Sequence, residues 1–191
     1  MVIGSEAYWT PPSAWQPNPQ WWHADQDDPD AAETEVSYLV RALIRATQPE
    51  IVVESGTATG VTAELIGKTL LMNGHGHLWT VEIDAAAAAK AAARVQGLPV
   101  TVVHADTMTW NPATKVDFAW IDSGDAATRV QEIRNWWRLF SPGALIGIHD
   151  TAPNQGREVL AGLLDEFIDA NSVFALWLRT PRGVTFIQVP G

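Results

Sequence analysis

Hydrophobic and polar positions along this chain alternate with two different periods. Short, continuous apolar runs predict buried strands at 51–54, 78–83, 100–104, 116–121 and 144–149. Stretches with apolar residues every three or four positions predict helices at 31–47, 61–72, 85–96, 126–140 and 156–169. Apolar strands that alternate with helices indicate a parallel sheet covered by helices on both faces.

The last two predicted strands follow a different rule. Residues 173–178 and 184–189 are separated only by a short turn that contains Pro181 and Gly183. A connection this short cannot cross over the sheet, so these two strands must pair antiparallel. The sequence therefore predicts an α/β fold that ends in an antiparallel hairpin.

Composition narrows the classes of protein to consider. The 191 residues are 47 % hydrophobic and 18 % charged, as expected for one globular domain, and none is cysteine, which excludes disulfides and thiolate chemistry. No apolar stretch approaches the ~20 residues of a membrane span, and no secretory signal is visible, so we expect a cytoplasmic protein. The net charge of −10, without a basic patch, argues against a nucleic-acid partner and favours a small-molecule substrate.

The N-terminal segment, residues 1–30, differs from the domain predicted for 31–191. It carries Trp9, Trp15, Trp21 and Trp22 among several prolines, so neither a helix nor a regular strand is expected. We expect either an arm packed on the domain surface or a lid that covers a substrate pocket. An exposed segment of this kind is also a candidate contact in a homodimer.

Polar side chains stand where the predicted parallel strands end. These strand ends are Glu54, Glu82, His104 to Asp106, Asp122, and His149 to Asp150. In an open parallel sheet, ligands bind beyond the carboxyl ends of the strands. The sequence therefore predicts a binding site at this edge.

The stretch IVVESGTATG, residues 51–60, is the strongest local motif. It joins a buried strand to a helix through Gly56 and Gly60, which allow a ligand to approach the backbone closely. In a dinucleotide-binding G-x-G-x-x-G motif a glycine would stand at the position of Glu54. A carboxylate there would repel a pyrophosphate and attract a cation such as an α-ammonium group.

Two further strand ends suit a nucleoside. Glu82 in LWTVEID lies about twenty residues beyond the glycines, where an acid accepts hydrogen bonds from ribose hydroxyls. Asp106 in VTVVHAD is placed to bind the exocyclic amine of adenine, with Thr107 and Met108 beside the ring. Asp84 and Asp125 each precede a predicted helix and are expected to cap it.

Together these motifs resemble those of the class I S-adenosylmethionine-dependent methyltransferases, over roughly residues 33–190. The closest resemblance is to small-molecule O-methyltransferases of the catechol or the antibiotic- and sugar-tailoring type. It implies a Rossmann-like, three-layer αβα sandwich with a seven-stranded, mostly parallel sheet whose last strand is antiparallel. It implies methyl transfer from S-adenosylmethionine to a hydroxyl of a small molecule. The implied cofactor-binding residues are Glu54, Gly56, Thr57, Gly60, Glu82, Ile83, Asp106, Thr107 and Asp122.

The resemblance also implies a divalent cation. VDFAWIDSGD (116–125) and PGALIGIHDT (142–151) are similar to the segments that supply the metal-binding acids of catechol-type enzymes. The implied ligands are Asp122, Asp150 and Thr151, which stands at the position of an asparagine ligand. Oxygen ligands favour Mg²⁺, Mn²⁺ or Ca²⁺.

The general base is not fixed by the sequence, because the lysine or histidine that related enzymes carry after the fourth strand is absent here. His149 and Asp122 are the candidates. The alternatives are a metal-independent methyltransferase that uses one of them as base, a nucleotide-dependent oxidoreductase, and a binding protein that keeps the fold without catalysis. The glutamate at 54 and the terminal hairpin count against the oxidoreductase.

Overall fold

The structure, a computed structural model, describes residues 32–152 and 158–191. The helices in these ranges are α1 (Thr34–Thr47), α2 (Val61–Asn73), α3 (Ala85–Arg94), α4 (Ala126–Trp136) and α5 (Glu158–Asn171). The strands are β1 (Ile51–Ser55), β2 (His77–Glu82), β3 (Val100–His104), β4 (Val116–Ile121), β5 (Phe140–His149), β6 (Phe174–Leu178) and β7 (Val184–Gln188). The predicted arm at 1–30, with its proposed roles as lid or dimer contact, lies outside the described residues.

Within the described ranges the strands form a seven-stranded sheet in the order β3-β2-β1-β4-β5-β7-β6. Strands β1 to β5 pair in parallel, whereas β7 is antiparallel to both β5 and β6. The sheet and its antiparallel final strand are therefore as predicted. This order places β1 and β4 side by side at the centre, so the loops that follow them meet at one edge.

Two cores cover the two faces of the sheet. One lies against α4 and α5, and the other against α1 and α2. Strand β4 contributes side chains to both cores, because successive side chains of a strand point to opposite faces of the sheet. Its Ala119 and Ile121 belong to the first core, and its Phe118 and Trp120 belong to the second. These layers are the predicted αβα sandwich.

The boundary between α4 and β5 differs from the prediction. The helix ends at Trp136, a short 3₁₀ turn follows at Trp137–Leu139, and β5 begins at Phe140 instead of residue 144. Phe140 pairs with Val116 of β4, which is possible because the register shifts between Val116 and Phe118. Phe140 fits both the apolar stripe of the helix and the apolar run of the strand, so hydrophobic periodicity alone could not locate the boundary between the two elements.

Both predicted aspartate caps are present. Asp84 accepts a hydrogen bond from the backbone N–H of Ala87 at 2.8 Å, at the start of α3. Asp125 accepts from the backbone N–H of Thr128 at 2.9 Å, at the start of α4. Each cap satisfies a donor that the first turn of a helix leaves without a partner. Among the described residues, no helix has the length and apolar character that crossing a membrane requires.

Candidate active site

A cavity of about 590 Å³ opens at the carboxyl ends of strands β1 to β4. This is the edge at which parallel sheets bind ligands. Glu54 and Gly60 are not on its wall. The predicted cofactor-binding residues that do line it are Gly56, Thr57, Glu82, Ile83, Asp106, Thr107 and Asp122. The structure thus brings most of the predicted set to one cavity.

The turn after β1 requires glycine at position 56. Gly56 has φ +79°, and a Cβ atom there would lie 2.6 Å from the carbonyl oxygen of Asp122. The loops after β1 and β4 therefore touch through their backbones. Gly60 also has a positive φ, but a Cβ there would lie 3.0 Å from the Cα of Ala91. Gly60 thus allows α2 to pack against α3 and does not face the cavity.

Glu54 is connected to the cavity wall through two successive hydrogen bonds. The residue is 1 % exposed, and the hydroxyl of Thr80 donates a hydrogen bond to its Oε2. The same Thr80 hydroxyl contacts the hydroxyl of Thr57, which lines the cavity. Burial, together with the nearby charges of Asp122 and Glu82, raises the pKa of Glu54 to about 8 despite the hydrogen bond from Thr80. Glu54 is therefore protonated at neutral pH in the free protein.

The other end of the cavity suits a nucleoside. Glu82 accepts hydrogen bonds from the backbone N–H groups of Ala58 and Asp84, both at 2.8 Å, and so fixes the two loops between which it stands. Ile83 and Met108 line the cavity and are 67 % and 40 % exposed as residues. Exposed apolar side chains of this size offer faces against which a flat ring can pack.

The ends of β4 and β5 form an acidic cluster with a histidine at its centre. Side-chain atoms of Asp122, His149 and Asp150 that could bind a metal ion, one from each residue, all lie within 4.8 Å of one another. The His149 ring is fully buried between two carboxylates, with Nδ1 3.1 Å from Asp122 Oδ2 and Nε2 2.9 Å from Glu33 Oε2. Glu33 lies immediately before α1, so the histidine connects the start of the described chain to the site.

Two arginines complete this cluster. Arg129, from the first turn of α4, contacts Asp122 Oδ1 and Asp150 Oδ2, both at 3.3 Å. Arg182, from the turn between β6 and β7, contacts both oxygens of Asp150, with Nε 2.6 Å from Oδ1 and Nη2 2.9 Å from Oδ2. Each oxygen of the two aspartates is therefore within reach of a cationic N–H group.

These contacts set the protonation of the cluster. Burial alone would lower the pKa of His149, but the charge and hydrogen bond of Asp122, with the bond to Glu33, raise it to about 9. Burial would raise the pKa of Asp150, whereas the hydrogen bond from Arg182 and the nearby positive charges lower it to about 2. At neutral pH the histidine is a cation with both N–H groups engaged. It is therefore not available as a general base in this state.

The cluster does not fit a divalent cation. The oxygens that would bind one already accept hydrogen bonds from Arg129, Arg182 and His149. Both ring nitrogens of His149 already lie within hydrogen-bond distance of a carboxylate, one of Asp122 and the other of Glu33. The predicted third ligand, Thr151, is fully buried, and its hydroxyl oxygen accepts a hydrogen bond from Thr185 at 2.9 Å. The structure thus brings Asp122 and Asp150 together, but around guanidinium groups.

Sequence reasoning did not identify Arg129, Arg182 or Glu33 as site residues. A signal for Arg129 was available on α4, since the buried positions of this helix include two charged residues, Arg129 and Glu132. Charged residues on the buried stripe of a helix need partners. No sequence pattern could have predicted Arg182 or Glu33 as site residues, because only the tertiary fold brings them to the end of β5.

Glu132 has partners of its own beneath the nucleoside end of the cavity. It is completely buried and accepts hydrogen bonds from Ser55 Oγ at 2.9 Å and from Ser123 Oγ at 2.5 Å. Thr107 also hydrogen-bonds to it, and burial raises its pKa. Ser55 is the last residue of β1, whereas Ser123 and Thr107 lie in the loops after β4 and β3. One carboxyl group therefore ties the end of β1 to two of the loops that surround the cavity.

Comparison with known proteins agrees with this fold. A family model described as a methyltransferase domain matches residues 53–151, more than half of the chain. No curated protein matches the sequence.

Many solved structures resemble the fold. The O-methyltransferase TomG from Streptomyces achromogenes, involved in tomaymycin synthesis and crystallised with SAM, is 20% identical, covers 84% of this chain and 82% of its own, and has a TM-score of 0.65. The SAH-bound methyltransferase PaMTH1 from Podospora anserina is 15% identical over 87% of this chain and 83% of its own, with a TM-score of 0.73. An O-methyltransferase from Bacillus cereus in complex with SAH is 15% identical over 85% and 84%, with a TM-score of 0.65. From the family match and the strand order, the chain belongs to the methyltransferase domain family and has the class I, S-adenosylmethionine-dependent methyltransferase fold.

Proposed function

We propose that this chain transfers the methyl group of S-adenosylmethionine to a hydroxyl of a small molecule, and that the transfer needs no divalent cation. The observation that carries the proposal is the cavity whose wall holds Gly56, Glu82, Asp106 and Asp122 in one continuous surface. The first three suit the cofactor, and the last stands where an acceptor would meet it.

The cavity suits the parts of this cofactor one by one. Gly56 lines the cavity where the loops after β1 and β4 touch, and Thr57 connects this part of the wall to Glu54 through Thr80. Glu82 offers carboxylate oxygens to a ribose. Asp106 and the exposed Ile83 offer an acceptor and an apolar face to an adenine. The related structures crystallised with SAM or SAH support the same assignment.

When bound, the cofactor supplies an electrophilic methyl group on a positively charged sulfur. The protein's part is to align the acceptor oxygen and to receive its proton. Asp122 lines the cavity with its side chain 14 % exposed, and Arg129 and His149 hold its two oxygens in place. We assign the proton to the Asp122 carboxylate. His149 positions this group from behind.

The acceptor side of the cavity is polar among the described residues. Asp122, Ser123, Thr128, Arg129 and Arg182 form its wall there. A hydroxyl-bearing small molecule suits such a wall, and the net charge of −10 does not suit a nucleic acid. The Mg²⁺, Mn²⁺ or Ca²⁺ implied by the sequence resemblance has no role in this transfer, because the guanidinium groups of Arg129 and Arg182 already contact the two aspartates that would bind it.

The test is a transfer assay with S-adenosylmethionine labelled in its methyl group. Catechols, sugars and hydroxyl-bearing peptides serve as acceptors, each with EDTA and with added Mg²⁺. We expect labelled product from one class of hydroxyl compound, at a rate that EDTA does not change. Asp122→Asn should retain cofactor binding and lose most of the turnover.

Two results would contradict the proposal. Turnover that disappears in EDTA and returns with Mg²⁺ would restore the metal-dependent mechanism. Cofactor binding without transfer to any acceptor class would favour the alternative of a binding protein that keeps the fold.

A further inference from the structure

Arg129 makes an unusually complete set of contacts for a side chain on the wall of a cavity. Its Nε donates to the carbonyl oxygen of Ser123 at 2.7 Å, and its Nη1 donates to the carbonyl oxygen of His149 at 2.8 Å. The remaining N–H groups face Asp150 Oδ2 and Asp122 Oδ1, at 3.3 Å each. Of the five N–H donors of a guanidinium, four form hydrogen bonds here, and Nη2 also makes an ion-pair contact with Asp122. The side chain is therefore fixed between β4 and β5.

The position of this guanidinium is central to the cluster. It contacts the aspartate that ends β4 and the aspartate that ends β5, so it lies between the two carboxylates that parallel pairing brings together. Like charges this close repel unless a cation separates them. Arg129 is buried on α4, with a residue exposure of 7 %, so solvent does little to screen the pair.

The space around the two aspartates is already taken by guanidinium groups. Arg129 contacts both carboxylates, and Arg182 donates to both oxygens of Asp150. A divalent ion between Asp122 and Asp150 would have to displace these N–H groups from the carboxylate oxygens.

We propose that Arg129 is an internal replacement for a divalent cation. It is a positioning residue that keeps Asp122 and Asp150 in place, and a metal ion can bind between them only when Arg129 is removed. The metal-binding part of this inference stands independently of the activity, whereas the positioning of Asp122 for proton transfer rests on the proposed function.

The first test measures Mn²⁺ binding to the purified chain by calorimetry and by the paramagnetic resonance of free Mn²⁺. We expect no binding at the cluster in the unmodified protein, and a new site in Arg129→Ala that is lost again in the double variant with Asp150→Asn. Arg129→Met, which keeps more of the packing, should gain the same site. Arg129→Lys should not, because it keeps a positive charge there.

The matched control is Arg134→Ala, since Arg134 lies on the exposed part of the same helix. It should behave as the unmodified protein does. Mn²⁺ binding to the unmodified protein that Asp150→Asn abolishes would overturn the proposal, and this result needs no folded Arg129 variant. Folded Ala and Met variants, as judged by circular dichroism, that gain no site would overturn it as well.

The second test separates positioning from folding. Arg129→Ala should lower kcat while the affinity for S-adenosylhomocysteine changes by less than about twofold, far below the tenfold that corresponds to about 1.4 kcal/mol. Added Mg²⁺ should restore part of kcat in this variant and have no effect on the unmodified protein. A gained Mn²⁺ site without rescue of kcat would contradict the role assigned to Asp122, and would leave the replacement of the cation by Arg129 intact.

Discussion

Replacing Glu54 by glutamine tests how this buried acid contributes to stability. Burial raises its pKa from 4.5 to about 8. Between these two values the folded chain keeps a proton that the unfolded chain has released. The free energy of unfolding therefore falls as the pH rises through this window. At about 1.4 kcal/mol per pH unit, the whole window corresponds to about 5 kcal/mol.

Glu54→Gln removes this titration, because an amide stays neutral at every pH. Most of the penalty should appear by neutral pH, so the stability of the variant relative to the unmodified protein should rise by about 3 kcal/mol between about pH 5 and about pH 7.5. Titration of other groups, His149 included, largely cancels in this difference. The comparison isolates Glu54.

The assay is urea denaturation of both proteins across this pH range, followed by circular dichroism. Glu166→Gln is the control, because it makes the same carboxyl-to-amide change at an exposed position of α5. Parallel stability profiles for Glu54→Gln and the unmodified protein would refute the reasoning. They would mean that Glu54 is ionised in the free protein and reaches solvent in a way that its 1 % exposure does not allow.

Three further predictions follow from single contacts. Gly56→Ala should lower stability and reduce the affinity for S-adenosylhomocysteine at least about tenfold, since its Cβ would lie 2.6 Å from a backbone oxygen. The control is Gly74→Ala, because Gly74 has φ +80° and open space around it. This control should lose only the ~1–2 kcal/mol of the left-handed conformation in denaturation experiments and should bind S-adenosylhomocysteine unchanged in calorimetry. Glu132→Ala should weaken binding of adenosine as well as of S-adenosylhomocysteine in calorimetry, because the hydroxyls of Ser55, Ser123 and Thr107 lose their acceptor. Ile133→Ala, a core change on the same helix, should lower stability alone, and equal losses of affinity in both variants would contradict this. Asp150→Asn should destabilise the protein at pH 7 by about 2 kcal/mol. The pKa of Asp150 is lowered from 3.8 to about 2, so its carboxylate stabilises the fold above pH 3.8, and this stability is lost as the pH falls through 2. If the difference in free energy of unfolding between the two proteins does not shrink with acidification, the prediction is wrong.

The fold could be predicted from the sequence because its signals are local. Continuous apolar strands, aspartate caps such as Asp84 and the short turn at Gly183 each act over a few residues. The cavity residues Gly56, Glu82 and Asp106 could be predicted for the same reason, since each follows a strand at the same edge of the sheet. The boundary at Phe140 could not, because helix and strand patterns overlap there.

The electrostatics of the site depended on tertiary contacts that no local pattern encodes. Arg182 reaches Asp150 from a turn 32 positions away, and Glu33 reaches His149 across 116 positions. The protonation of Glu54 depends on how deeply α2 and the sheet bury it, which its position in the motif does not reveal. A pair of acids at neighbouring strand ends predicts a cation between them, but it cannot say whether the cation is a metal or a guanidinium.

The central claim is that the cavity binds S-adenosylmethionine. Calorimetric titration with S-adenosylhomocysteine, in EDTA, with NAD as the comparison ligand, tests it most directly. The account predicts saturable binding of the thioether nucleoside to one site per chain, unchanged by added Mg²⁺, and no binding of NAD. Binding of NAD without binding of S-adenosylhomocysteine would contradict it.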